Sequence, residues 1–156
     1  HMLANLGFGT VFGFLAGQLL GPGIAWVSVL AAAAAANLLN AFIHPVTHSS
    51  VGASTAVFAT LGLLSAYAWR KRAGQGDRWA YRWAPLVAGV ILLGFTGAGG
   101  ERTDVLAHLT GFAMGALAGI AHASWRSPRG TVAQVAAGLL SLALVGVAWM
   151  LALASA

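Results

Sequence analysis

Four side chains in this sequence have the chemistry for acyl transfer between them: Ser54, His108, His1 and Asn5. A serine beside a histidine in a partly dehydrated cavity is the minimum for nucleophilic attack on a carbonyl, because the imidazole takes the hydroxyl proton as the oxygen adds. His1 and Asn5 are four residues apart, hence on one helical face. Both are able to donate hydrogen bonds to the oxyanion such an attack creates. Each residue alone has a plainer reading. A membrane serine normally bonds its own helix backbone, a lone intramembrane histidine is commonly structural or part of a transport path, and Asn5 would simply join two helices. What unites the four is a shared depth, and that depends on the elements that carry them.

Those elements are apolar. Of 156 residues, 59% are hydrophobic and 7% charged, with 21 glycines and no cysteine. A soluble domain carries about 25% charged residues. Residues 1–69 and 130–156 contain no Asp, Glu, Lys or Arg. This excludes a soluble enzyme, a disordered chain and a disulfide scaffold. The net charge of +5 does not indicate a nucleic-acid partner, because five of the eight basic residues lie between Arg70 and Arg82, and two more are Arg126 and Arg129. Short basic clusters beside apolar runs hold loops on the cytoplasmic side of a membrane. The fold class is therefore an all-α, multi-pass membrane protein whose solvent is the lipid bilayer.

A helix needs about 20 apolar residues to cross the hydrocarbon core. Six segments qualify: Met2 to Leu20, Ile24 to Ile43, Gly52 to Trp69, a fourth starting near Pro85 and ending at Gly97 to Gly100, Val105 to Ser124, and Thr131 to Ala154. Gly21-Pro22-Gly23 marks the first turn, and His44 to Ser50, Gly74 to Asp77, Glu101 to Asp104 and Trp125 to Gly130 form the other connections. With the loops after the third and fifth helices in the cytoplasm, helices one, three and five all run inward. Their first turns then share one depth on the outer side, with Ser54 expected about one turn into its helix and His108 one turn after Asp104. Gly111, Gly115 and Gly119 form a stripe that lets another backbone approach the fifth helix. Asp104 is expected to cap that helix, and His122 is expected at the membrane interface.

The motifs carry a resemblance. Gly52-Ala53-Ser54-Thr55-Ala56-Val57-Phe58 resembles the Gly-x-Ser-Gly helix of rhomboid intramembrane serine proteases, and Ala107-His108-Leu109-Thr110-Gly111 with Gly115 resembles their Ala-His-x-x-Gly-x-x-x-Gly helix. His1-Met2-Leu3-Ala4-Asn5 resembles their His-x-x-x-Asn helix. The resemblance implies a rhomboid-like helical bundle that cleaves transmembrane segments of protein substrates with a Ser-His dyad and without cofactor or metal. It makes Ser54 the nucleophile and His108 the general base. The Ser54 N–H, Asn5 and His1 become the oxyanion donors, and Phe58 the aromatic that packs on the histidine ring. It also divides the chain into a core over 1–124, and a loop with an extra helix over 125–156. A bacterial inner or plasma membrane is the expected location.

Three departures stand out. Thr55 replaces the second glycine of the serine motif, the family's first core helix and the loop after it do not precede His1, and the sixth helix is extra. The chain opens on His1 and so reads as a fragment. Two rivals remain: a rhomboid-like protein that binds membrane helices without cutting them, and a metal site or transporter built on His1, His44, His48 and His108. Intact Ser54 and His108 argue against the first. The lack of a carboxylate in any span argues against the second.

Overall fold

The computed structural model describes residues 2–43, 53–73, 78–97, 104–125 and 127–154. They form six helices, α1 (Met2–Leu20), α2 (Pro22–Ile43), α3 (Ser54–Arg72), α4 (Trp79–Gly97), α5 (Val105–Ser124) and α6 (Thr131–Ala154). Five are long and apolar enough to cross a membrane; α3 is not among them. The sequence reading expected six spans, and α3 falls short for a physical reason. Its last turn carries Arg70, Lys71 and Arg72, and its buried positions include Thr55, Thr60, Gly62 and Ser65. It packs against α1, α2, α4 and α5, so neighbouring helices rather than lipid surround it.

Three boundaries differ from the sequence expectation. Only Gly21, at φ +86°, breaks the chain between α1 and α2. Pro22 then opens α2, where a missing N–H costs nothing because first-turn donors lack helical acceptors anyway. α4 begins at Trp79, six residues before Pro85, which lies inside the helix. Proline removes the donor that residue 85 would offer the carbonyl of Tyr81. Arg72 supplies the replacement, its guanidinium donating to the Tyr81 carbonyl at 2.9 Å. α3 starts at Ser54 with Ala53 as its N-cap, and continues through the basic triplet. Ser54 is thus the first residue of its helix rather than one turn in.

The seam between α3 and α5 is the closest in the bundle. A Cβ on Gly111 would meet the carbonyl of Thr55, one on Gly115 that of Ala59, and one on Gly119 that of Leu63. Both members of each pair advance by four, so the helices run parallel in fixed register. Gly62 of α3 returns the fit, its Cα facing the carbonyl of Phe112. In lipid, where apolar burial gains little, such backbone proximity is a main source of association. Phe12, Val57, Phe58, Leu61, Leu93 and Phe112 fill the core beside this seam.

Among the described residues, α6 packs along α2. Gln134 makes the tie, accepting from Ile24 N at 3.1 Å and donating to the carbonyls of Leu20 and Pro128 at 3.0 Å each. Its amide thus closes the α1–α2 turn onto the start of α6. Val132, Leu139, Leu142, Trp149 and Leu153 of α6 remain exposed, as a lipid-facing helix requires.

Candidate active site

Ser54 gains two properties from its place at the helix start. Thr10, Ser28, Thr60, Thr96 and Ser141 each donate to the carbonyl four residues earlier in their own helix. A first-turn serine has no such helical carbonyl behind it, so this competing use of the hydroxyl is removed. The first turn-closing bond runs from Val57 N to Ala53 O at 3.1 Å. The N–H groups of Ser54, Thr55 and Ala56 therefore belong to the set a helix cannot satisfy internally, at its positive end. An oxyanion formed at Ser54 would meet those donors.

His108 is the fourth residue of α5 and is 95% shielded, with a relative exposure of 5%. The Phe58 ring, one turn beyond Ser54 on the same face of α3, lies against its imidazole with centroids 4.3 Å apart and planes tilted by 36°. The seam register brings the first turns of α3 and α5 to one end of the bundle. Asp104 caps α5, its carboxylate accepting from Ala107 N at 2.9 Å. Two residues after His108, Thr110 donates toward Asn40 Oδ1 at 3.1 Å and the Leu106 carbonyl at 2.9 Å. Asn40 and Thr110 are both buried, so this contact ties α2 to the histidine turn. The sequence reading passed over both residues, because 70 positions separate them.

Asn5 is half-buried and lines a cavity of about 600 Å³ together with Ala53, the neighbour of Ser54. The cavity runs along Gly9, Gly13 and Gly17 of α1 to Pro22 and Trp26 of α2. A Cβ on Gly13 would meet nothing within 4 Å, so this side of α1 is open. His1, assigned to the oxyanion site on resemblance, lies outside the described residues, as do His44 and His48 of the proposed metal set.

Thr55 is buried, and its Cγ2 methyl would lie 3.3 Å from a Cβ on Gly111. Its side chain uses room that Gly111 leaves in the seam. His122, at the far end of α5, pairs with Ser28 of α2 at 2.7 Å and with Ser127 beyond α5 at 2.7 Å. The histidine expected at the interface is thus held on both ring nitrogens.

The family model of the Rhomboid domain matches residues 1–125. The chain belongs to the rhomboid family. With its apolar helices, it is a multi-pass intramembrane protein of helical-bundle fold. No curated protein and no solved structure matches the sequence significantly.

Proposed function

We propose that the protein is an intramembrane serine endopeptidase that cleaves transmembrane segments of other membrane proteins. Ser54 is its nucleophile and His108 its general base. The observation that carries the reading is the Phe58–His108 ring contact at 4.3 Å across the α3–α5 seam. It fixes the imidazole plane beside the helix whose first residue is Ser54. Rhomboid membership adds weight, because proteolysis is the general activity of that family. In the reaction, His108 accepts the Ser54 proton as Oγ adds to the scissile carbonyl, and returns it to the leaving amine. Asn5, His1 and the Ser54 N–H hold the oxyanion. The ends of the helices bearing Arg70 to Arg82 and Arg126 to Arg129 face the cytoplasm, following the distribution of positive charge.

Labelling of the detergent-solubilised chain with a serine-directed fluorophosphonate tests this. Wild type should label, and Ser54→Ala and His108→Ala should not. Equal labelling of wild type and Ser54→Ala, or of neither, overturns the proposal. Thr55 at the motif glycine favours a second reading, a relative that binds membrane helices without cutting them. That reading predicts no labelling, but retained association with a transmembrane helix.

A further inference from the structure

The end of the bundle opposite Ser54 carries an uncompensated charge. Residues 70–82 hold five cations, Arg70, Lys71, Arg72, Arg78 and Arg82, against one carboxylate, Asp77. Among the described residues the sole carboxylate is Asp104, which caps the other end of α5. Aromatic rings collect the cations. The Arg82 guanidinium lies over Trp69 at 5.3 Å, that of Arg72 over Tyr81 at 4.4 Å, and the Lys71 ammonium over Tyr67 at 5.6 Å. Trp83 packs on both Trp69 and Trp79, at 5.4 and 6.1 Å. Stacking engages the face of a guanidinium and leaves its planar fork of N–H donors for an acceptor.

Two N–H groups of this cluster, Trp69 Nε1 and Arg82 Nε, are buried and lack an acceptor among the described residues. Both sit in the α3–α4 seam, where each unsatisfied N–H calls for an explanation. An anionic oxygen entering between Trp69 and Arg82 would satisfy both donors and offset the surrounding charge.

We infer that this site binds the headgroup of an anionic phospholipid. Two features favour a lipid over a soluble anion. Tryptophan and tyrosine concentrate at headgroup depth, and the five rings gathered around the cations are three tryptophans and two tyrosines. Below them α4 exposes Val87, Val90, Ile91 and Phe95, an apolar track on which acyl chains from a bound headgroup would lie. A juxtamembrane cation cluster gains roughly a fivefold preference for anionic lipid from each cation near the surface. The inference stands whether or not the protein cleaves substrates.

The test uses the full chain reconstituted in vesicles with equal amounts of phosphatidylglycerol and phosphatidylcholine. Trp26, Trp125 and Trp149 are replaced by Phe, so that emission comes from Trp69, Trp79 and Trp83. One lipid at a time carries bromine, which quenches nearby indoles. Brominated phosphatidylglycerol should compete for the site at least about fivefold better than the brominated zwitterion, the weight of a single cation. Arg82→Gln should remove most of that preference. Lys71→Gln, a change at an exposed position, should lower it without disturbing packing. Arg129→Gln, near the start of α6, should leave it unchanged. Equal quenching by the two lipids overturns the inference. So does a loss on Arg129→Gln as large as on Arg82→Gln, which would mean diffuse charge rather than a site. Loss of the preference in excess soluble glycerol phosphate would assign the site to free phosphate and overturn the lipid assignment.

Discussion

Gly115→Ala isolates the contact on which the site geometry rests. The added methyl would overlap the Ala59 carbonyl oxygen and come within 2.6 Å of the Ala59 carbonyl carbon and 2.7 Å of its Cα. These are backbone atoms, so no rotamer change relieves the clash. Restoring ordinary contact near 3.4 Å with the carbonyl carbon alone requires the α3–α5 seam to open by about 0.8 Å locally, and relieving the oxygen overlap requires more. Overpacking of this kind costs ~1–3 kcal/mol, and a gap of 0.5–1 Å elsewhere along the seam forfeits about a quarter to a half of each dispersion contact there. For a chain of this size 1 kcal/mol shifts Tm by roughly 2–4 °C, so a fall on the order of 2–12 °C is expected. The catalytic loss should be larger in proportion. Displacing reacting groups by about 1 Å costs on the order of 10²-fold in rate, and His108 lies two turns up the same helix. Gly13→Ala is the control, because its Cβ meets nothing within 4 Å and alanine favours helix by ~1 kcal/mol over glycine. Circular dichroism during heating in micelles reads Tm, and the fluorophosphonate labelling rate reads the site. A Gly115→Ala protein that matches Gly13→Ala in both measurements refutes the close-seam reasoning.

Further expectations follow from single contacts. Phe58→Leu keeps an apolar residue at a buried position but loses the ring pair with His108, worth ~0.5–1.5 kcal/mol, so labelling should slow by roughly 2- to 12-fold; an unchanged rate would mean the ring does not orient the imidazole. Asn5→Ala should slow substrate cleavage by about 10²- to 10³-fold without abolishing it, as loss of one oxyanion donor does, and wild-type turnover would remove Asn5 from the site. Asp104→Asn should leave Tm and labelling unchanged, whereas Asp104→Ala should cost ~1 kcal/mol of helix stability; loss of labelling in Asp104→Asn comparable with His108→Ala would make the site a triad. Arg72→Gln should destabilise the protein by ~0.5–1.5 kcal/mol through loss of the exposed hydrogen bond to the Tyr81 carbonyl, and less so in a Pro85→Ala background, where residue 85 again offers an N–H. Additive effects in that double-mutant cycle would show that Arg72 does not replace the missing donor.

The sequence by itself determined the fold class and most of the helices. Long runs without charge allow no alternative to membrane helices, and the ends of α1, α5 and α6 lie where glycine, proline and charged residues interrupt those runs. Resemblance to the rhomboid motifs pointed to Ser54, His108 and Phe58, and the four-residue spacing of Ser54 and Phe58 puts them on one face whatever the tertiary structure. Composition leaves α3 short of a membrane span, for hydropathy measures affinity for lipid and this helix is surrounded by protein. Pro85 misplaced the start of α4, because the arginine that compensates for its missing N–H lies on a different helix. Only the tertiary structure decided which glycine stripe is filled. Gly111, Gly115 and Gly119 meet the backbone of α3, while Gly9, Gly13 and Gly17 border an open cavity, yet in sequence the two stripes have the same spacing. Contacts such as Asn40–Thr110 and Ser28–His122 were equally hidden. A short side chain states what it is able to donate or accept, and only the packing of distant helices determines what lies within its reach.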